Sequence, residues 1–189
     1  MATEALQTEL TEKREEERSI PYAKFITDVE AFVAKFTADA GLVTLRELLN
    51  KYNFMFETLT YQKRSILRKI PDIQQSLETV MFIKRKNAEG ETYSTMFPLT
   101  DNCHATAELE PTATVFLWLG ANVMLEYPVQ EAEDLLTTSQ ANAQTSLKSL
   151  DQSLGFLRDQ ITTTEVNIAR VHNHNVKIRA LQKAAAQEA

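Results

Sequence analysis

Residues 103–127 read CHATAELEPTATVFLWLGANVMLEY and decide the fold, because their apolar side chains recur with a period of two. Alternation of this kind predicts half-buried β-strands. Within the wider segment 91–127, residues that tolerate tight turns occur at Thr100–Asn102, Glu110–Thr112 and Gly120–Asn122. The segment is therefore predicted to form four short strands in two β-hairpins.

The two predicted hairpins need partners, because an isolated hairpin is marginally stable in water and exposes unpaired strand edges. We expect these edges to pair with strands of other subunits. Cys103, the single cysteine of the chain, is expected to be a small buried strand residue in a reducing compartment. The predicted oligomerisation residues are apolar strand positions: Ala105, Ala107, Val115, Leu117, Leu119, Val123 and Leu125.

A repeat of seven residues runs from Leu42 to Val80, before the strands. Its apolar positions fall on one stripe of a helix, and Lys63 alone interrupts them. A register kept over this length predicts a left-handed coiled-coil strand, in which Pro71 is expected to cause a kink. The two seam positions hold Leu42, Leu49, Phe56, Lys63, Ile70 and Leu77, and Leu45, Tyr52, Leu59, Ile66, Ile73 and Val80.

A second heptad repeat follows the strands, and Pro128 marks the predicted start of its helix. Thr164 and Asn175 are polar positions in this seam, which commonly set the register at some cost in stability. Two such helices joined by a strand-rich link predict a mainly helical α+β fold, a long antiparallel coiled coil with two central β-hairpins. The second seam runs through Leu147, Leu150, Leu154, Leu157, Ile161, Thr164, Ile168, Val171, Asn175 and Ile178.

A short aromatic stripe precedes the first seam. Ser19 and Pro21 are typical of a helix start, and the residues behind them recur at steps of three and four, which predicts a short helix. Two interpretations stay open: the stripe packs on the neighbouring helix, or part of it is an exposed apolar surface. The stripe contains Tyr22, Phe25, Val29, Phe32 and Phe36.

The chain is predicted to divide into four regions. Residues 1–18 are polar and charged, so they are expected to form a disordered acidic tail. Residues 19–90 form the N-terminal coiled-coil helix region, and residues 128–185 form the C-terminal coiled-coil helix. Residues 91–127 hold the two β-hairpins and serve oligomerisation.

Composition and charge exclude several classes of protein. The chain has only 4 glycines and 5 prolines, which favours long helices over a fold with many turns. Its net charge of -6 and dispersed basic residues argue against a nucleic-acid surface. The charged N-terminus does not resemble a secretory signal, and no stretch approaches the ~18 apolar residues of a membrane span. A soluble intracellular protein is expected.

The sequence gives little support for a catalytic or metal-binding group. His172 and His174 are two residues apart on a predicted helix and point to nearly opposite sides, and His104 lies in a strand. The acidic residues of 131–134 suit a helix N-terminus without forming an acid–base pair. The sequence contains no glycine-rich phosphate loop and no nucleophile with a partnered base. We therefore expect neither an enzyme nor a metal site.

Three motifs carry a resemblance to a known family: IPYAKF at 20–25, FLWLGANVMLEY at 116–127 and DQITTTEVNIARV at 159–171. Together, and over nearly all of Ile20–Arg179, the chain resembles the alpha-class subunits of eukaryotic prefoldin. The resemblance implies a heterohexamer of alpha-class and beta-class subunits. In that assembly the hairpins join an intersubunit β-barrel, and the coiled coils extend from it.

The resemblance also implies a function. Prefoldin is an ATP-independent holdase that captures unfolded actin and tubulin and delivers them to the cytosolic group II chaperonin. The expected partners are other prefoldin subunits, the chaperonin and the two clients, with no cofactor, nucleic acid or membrane. The expected location is the cytoplasm, and a nuclear complex stays open. A coiled-coil scaffold or tether is the alternative, which would share the heptads but would not need a central strand block.

Client contact is expected at the end of the coiled coil that lies away from the barrel. There the start of the first helix meets the end of the second, and many weak apolar contacts would hold an unfolded chain without a defined pocket. The predicted client-binding residues are Tyr22, Phe25, Ile26, Val29, Phe32, Phe36, Val171, Ile178 and Leu181.

Overall fold

The computed structural model describes residues 6, 8–12 and 20–188 of the chain, with side chains up to residue 183. Two helices of 52 and 60 residues dominate it, and the strands form two-stranded antiparallel sheets. The predicted mainly helical α+β fold is confirmed, although no closed barrel is seen among the described residues of the single chain. The elements are β1 (Thr11–Glu12), β2 (Tyr22–Ala23), α1 (Val29–Phe36), α2 (Ala38–Glu89), β3 (Tyr93–Thr100), β4 (Cys103–Leu109), β5 (Thr114–Gly120), β6 (Val123–Pro128) and α3 (Val129–Glu188).

The chain divides into two compact units, and each long helix contributes to both. The first unit contains Met1–Gln62 and Leu150–Ala189, and the second contains Lys63–Ser149. In the first unit the helices run antiparallel, since the start of α2 meets the end of α3. Within the described part of the chain, neither these helices nor α1 contain a stretch long and apolar enough to cross a membrane.

The heptad pattern of α2 agrees with its burial. Every predicted seam position of this helix is buried or half-buried, and Leu45 and Tyr52 are each only 1% exposed. Large apolar residues outside the seam, such as Phe54 and Tyr61, stay exposed. The helix continues through Pro71 without loss of the seam register. The repeat of seven therefore identified the packed face of α2.

The aromatic stripe is not a continuous helix. α1 begins at Val29, where the Asp28 carboxylate accepts a hydrogen bond from the Ala31 N–H and caps the helix. Tyr22 belongs to strand β2, and Phe25 lies in the extended segment that follows it. The helix predicted to start near Pro21 is therefore wrong for residues 21–28. Their backbone groups bond to other elements of the first unit instead of to each other.

Part of the predicted tail is ordered. Leu6 and Leu10 are buried, and they join a cluster formed by Ile26, Phe32 and Leu42 with other apolar residues of the first unit. Strand β1 pairs antiparallel with β2. These described residues differ from the disordered tail expected over 1–18, because two leucines among many charges supply enough apolar area to dock. The remaining tail residues lie outside the described part of the chain.

The two predicted hairpins are present in the second unit. β3 pairs antiparallel with β4, and β5 pairs antiparallel with β6. The second hairpin turns at Ala121 and Asn122, whose φ angles are 49° and 61°. Two successive positive φ angles are typical of the two-residue turns that match strand twist, and asparagine tolerates them well. The turn residues of the sequence therefore marked the strand ends.

Candidate functional site

The β5–β6 hairpin packs one face on the helices of its own unit. Val115 lies opposite Tyr127, and Leu117 lies opposite Leu125, so these four side chains share a face. Val115, Leu117 and Tyr127 pack on a buried cluster of Val80, Val129 and Ala132 from the helix ends. This inner face is thus partly used by the chain itself, which reduces what Val115 and Leu117 can offer to a partner.

The opposite face of the same hairpin carries Glu126 beside three large apolar side chains that are uncovered in the single chain. Trp118 lies opposite Met124, and Phe116 lies on the same side of the sheet. Their exposed fractions are 60%, 52% and 65%. We call Phe116, Trp118 and Met124 the outer hairpin face. A contiguous apolar face of this kind is typical of a protein–protein contact.

Sequence reasoning missed the outer hairpin face because it assigned β5 one buried side. The run Val115–Leu119 contains no polar residue, and a continuous apolar strand is typical of a sheet covered on both faces. That signal could have identified Phe116 and Trp118. Among the predicted oligomerisation residues, Leu119 and Val123 are also exposed, at 46% and 45%.

The β3–β4 hairpin offers a second uncovered surface. Phe97 lies opposite Ala105, whose side chain is half-buried. Phe97 and Met96 point to opposite faces and are 60% and 74% exposed. Cys103 is also exposed, so its predicted burial is wrong for the single chain. Within the described residues, each hairpin is a separate sheet of two strands, so neither outer edge of the sheet pairs with a third strand.

Asn87 fixes the linker between the hairpins to the end of α2. Its side-chain N–H donates to the Thr112 carbonyl at 2.6 Å, and its side-chain oxygen accepts from the Thr112 N–H at 3.1 Å. The Val129 N–H, at the start of α3, donates to the Ala113 carbonyl at 3.2 Å. Both helix ends therefore hold the linker, which positions the β5 strand above the buried cluster of the second unit.

In the first unit, residues 20–28 form an extended segment that we call the strap. The Gln160 side-chain oxygen accepts from the Ala23 N–H at 2.7 Å. Asn167 bonds twice, since its oxygen accepts from the Ile26 N–H at 3.0 Å and its N–H₂ donates to the Lys24 carbonyl at 2.8 Å. Two amide side chains of α3 thus bind the strap through its backbone.

Arg170 and Tyr52 make further contacts with the strap. The Arg170 guanidinium donates to the carbonyls of Ile26 and Thr27, and lies over the Phe25 ring at 4.8 Å from its centroid. The Tyr52 hydroxyl of α2 donates to the Pro21 carbonyl at 2.9 Å. Burial raises the pKa of Tyr52 to about 12, so the phenol stays a donor. We call Tyr52, Gln160, Asn167 and Arg170 the strap site.

The predicted client-binding residues differ widely in exposure. Ile26 and Phe32 are 8% exposed, and Val171 is fully buried. Phe25 is 49% exposed, and Leu181 is 70% exposed. Ile178 is exposed as well, whereas Tyr22, Val29 and Phe36 are half-buried. The free surface of this set is therefore made by Phe25, Ile178 and Leu181.

Metal-ligating side chains do not gather in the described part of the chain, where no group of three or more His, Cys, Asp or Glu residues could hold an ion. His172 and His174 of α3 belong to no such group among the described residues. Among the described residues, the hairpin surfaces are built mainly from apolar side chains, whereas the strap site combines two amides with the Tyr52 hydroxyl and the Arg170 guanidinium.

Comparison with known proteins agrees with this architecture. The family model described as "Prefoldin subunit" matches residues 52–174, a range that includes both hairpins and the amides of the strap site. The chain belongs to the prefoldin family. The resemblance seen in the sequence motifs is confirmed, and prefoldin-family proteins are chaperone subunits rather than enzymes.

Curated relatives carry the name of one prefoldin subunit. Prefoldin subunit 3 of Homo sapiens is 45% identical over 163 residues, 85% of this chain and 83% of that protein. Prefoldin subunit 3 of Drosophila melanogaster is 42% identical, over 90% of this chain and 88% of the relative. Among solved structures, a filamentous PFD from Methanocaldococcus jannaschii matches with a TM-score of 0.49 at 20% identity, over 62% of this chain and 94% of that chain.

Proposed function

We propose that the chain is a subunit of a heterohexameric prefoldin co-chaperone, in which alpha-class and beta-class subunits pair through their hairpins. The outer hairpin face carries this proposal. Phe116, Trp118 and Met124 are each more than half exposed in the single chain, although large apolar side chains are usually buried. Strands of other subunits would cover them and would pair with the open hairpin edges, closing an intersubunit β-barrel.

The assembled co-chaperone holds unfolded actin and tubulin without ATP and delivers them to the cytosolic group II chaperonin. Exposed apolar residues of the first unit support capture by many weak contacts, above all Phe25, Ile178 and Leu181. The motifs 116–127 and 159–171 support the same function by resemblance. The place of action is the cytoplasm, and a tagged chain in living cells would show whether a nuclear pool exists.

A coiled-coil tether is the second candidate function. It would explain the heptad seams of α2 and α3, which is the observation in its favour. It would not explain why β5 is apolar on both faces, since a tether needs no strand partner. The two candidates therefore differ in whether the hairpins bind other prefoldin subunits.

The deciding experiment measures assembly and holdase activity on the same sample. We expect native mass spectrometry of the chain with beta-class subunits to show a hexamer, and we expect the chain alone to give smaller species. The hexamer should suppress aggregation of denatured actin without nucleotide and release it to added chaperonin. A hexamer that leaves actin aggregation unchanged would contradict the holdase, and failure to bind beta-class subunits would favour the tether.

A further inference from the structure

The strap site binds a backbone rather than a sequence. Gln160 and Asn167 bond to the N–H groups of Ala23 and Ile26 and to the Lys24 carbonyl, groups that every residue except proline offers in full. Of the strap residues 24–28, only Ile26 has a buried side chain, and the other four are exposed. The Tyr22 ring also packs on Phe156, with 4.6 Å between the ring centroids. The hydrogen bonds that hold the strap are nevertheless made through backbone atoms that any extended chain would also present.

Burying the amide side chains of the strap site costs free energy unless an extended chain supplies their hydrogen-bond partners. Gln160 and Asn167 are 6% and 1% exposed, on the face of α3 that also carries the fully buried Thr164. Thr164 satisfies its hydroxyl within its own helix, by donating to the Gln160 carbonyl at 2.8 Å. The Gln160 amide N–H₂ also donates within its helix, to the Phe156 carbonyl at 3.4 Å, but its oxygen and both polar atoms of Asn167 bond to the strap. An apolar pair would hold a permanent helix contact more cheaply, since buried polar groups need partners.

We propose that the strap site is a receptor for extended polypeptide, which the strap occupies when no client is bound and which an unfolded client enters when the strap leaves. This inference rests on the proposed holdase function and names the feature of the client that is bound: an extended backbone with an apolar side chain in the position of Ile26. The strap therefore acts as a built-in competitor. It keeps Asn167 and Gln160 paired and covers the apolar cluster of the first unit until a client replaces it.

A labelled copy of the strap, the nonapeptide IPYAKFITD of residues 20–28, is the probe for the full-length chain. Ile26→Asp in the chain places a charge in a buried position and should displace the strap. Because apparent affinity scales with the fraction of open sites, this variant should bind the peptide at least about tenfold more tightly than the wild type. Ile26→Ala should shift the affinity in the same direction by a smaller factor. Val43→Asp is the matched control, because it places the same charge on an exposed apolar residue of α2 outside the strap, and it should bind like the wild type.

The backbone bonds are tested in the opened chain. Asn167→Ala added to Ile26→Asp should weaken peptide binding about tenfold, as expected for two lost hydrogen bonds. A peptide methylated on the nitrogen of its Ile26 lacks the N–H that Asn167 accepts and should bind with a similar loss. Methylation at Phe25 is the control, since this N–H makes no hydrogen bond to α3 among the described residues. If both methylated peptides bind with equal affinity, the receptor proposal is wrong. It is also wrong if Ile26→Asp raises the peptide affinity by the same factor when Asn167→Ala is present.

Failure of this inference can be told apart from failure of the proposed function. If the wild-type assembly protects denatured actin but neither Ile26 variant gains peptide affinity, the receptor is wrong and the holdase stands. If the peptide binds as expected but no version of the assembly protects actin, the receptor stands and the client class of the proposed function is wrong. Helix content measured by circular dichroism on each variant shows whether the long helices have stayed folded.

Discussion

The strap of the first unit and the hairpins of the second unit are both extended chain, and they satisfy their backbone groups in opposite ways. The strap accepts a hydrogen bond from the Tyr52 hydroxyl and donates two to the side-chain oxygens of Gln160 and Asn167, and its apolar residue Ile26 is buried. Among the described residues, the strands of each hairpin pair with each other and with no third strand, and the outer hairpin face is uncovered. Extended segments need partners. The first unit supplies them from within the chain, whereas in the proposed assembly strands of other subunits would supply them to the second unit.

The largest expected effect comes from a charge on the outer hairpin face. Trp118→Asp should abolish assembly with beta-class subunits, because a buried unpaired charge costs several kcal/mol. Helix content of the single chain should stay unchanged, since Trp118 is 60% exposed there. Phe54→Asp is the control, because Phe54 is an exposed apolar residue of α2 outside the seam. If the Trp118 variant still gives the mass of the hexamer in native mass spectrometry, the outer hairpin face is not needed for assembly.

Next in size is the effect of removing a seam leucine from the first unit. Leu157 is fully buried, so Leu157→Ala should lower the free energy of unfolding by about 2–5 kcal/mol. Leu77 is a half-buried seam residue of the second unit, and Leu77→Ala should cost only about 1–2 kcal/mol in the single chain. Urea titration of both variants measures the difference. Equal losses of unfolding free energy in the two variants would show that the seam of the first unit is not the more tightly packed in the single chain.

A smaller effect is expected when the strap loses one of its amides. Asn167→Ala leaves the Ile26 N–H and the Lys24 carbonyl without their partner, which should cost about 1–3 kcal/mol. The Ile26 amide should then exchange its hydrogen faster, while amides in the middle of β5 keep their wild-type rates. Asn173→Ala, an exposed position on the same helix, is the matched control. Unchanged exchange at Ile26 would mean that Asn167 does not hold the strap.

The smallest effect concerns alkaline pH. Burial raises the pKa of Tyr52 in the folded chain to about 12, above the ordinary value of 10.0. The stability that comes from the neutral phenol is therefore complete below pH ~10 and is lost as the pH rises towards about 12. Tyr52→Phe should be less stable near neutral pH, because it lacks the bond to the Pro21 carbonyl, and its stability should fall less between these pH values. If the wild type and Tyr52→Phe lose the same free energy of unfolding over this pH range, ionisation of Tyr52 does not cause the loss.

Local patterns predicted the long helices and the hairpins well. A repeat of seven depends only on the spacing of residues such as Leu45 and Tyr52, so burial of the α2 seam follows from the order of the residues. The turn of the second hairpin follows from Gly120 and Asn122, which tolerate positive φ. The same kind of reasoning failed for the strap, because Tyr22 and Phe25 have helical spacing although their backbone is extended.

By itself, the sequence determined the coiled-coil seams, the two hairpins and the family, because periods of seven and two and short motifs are properties of neighbouring residues. Only the tertiary structure decided that residues 20–28 are a strap and that Phe116 and Trp118 form the uncovered face. The strap depends on hydrogen bonds between residues 137 and 141 positions apart, Ala23 with Gln160 and Ile26 with Asn167. In β5, the run Val115–Leu119 is apolar at every position, so no pattern could say which side would meet the helices. In the folded chain, the face with Val115 and Leu117 packs against Val80 and Ala132.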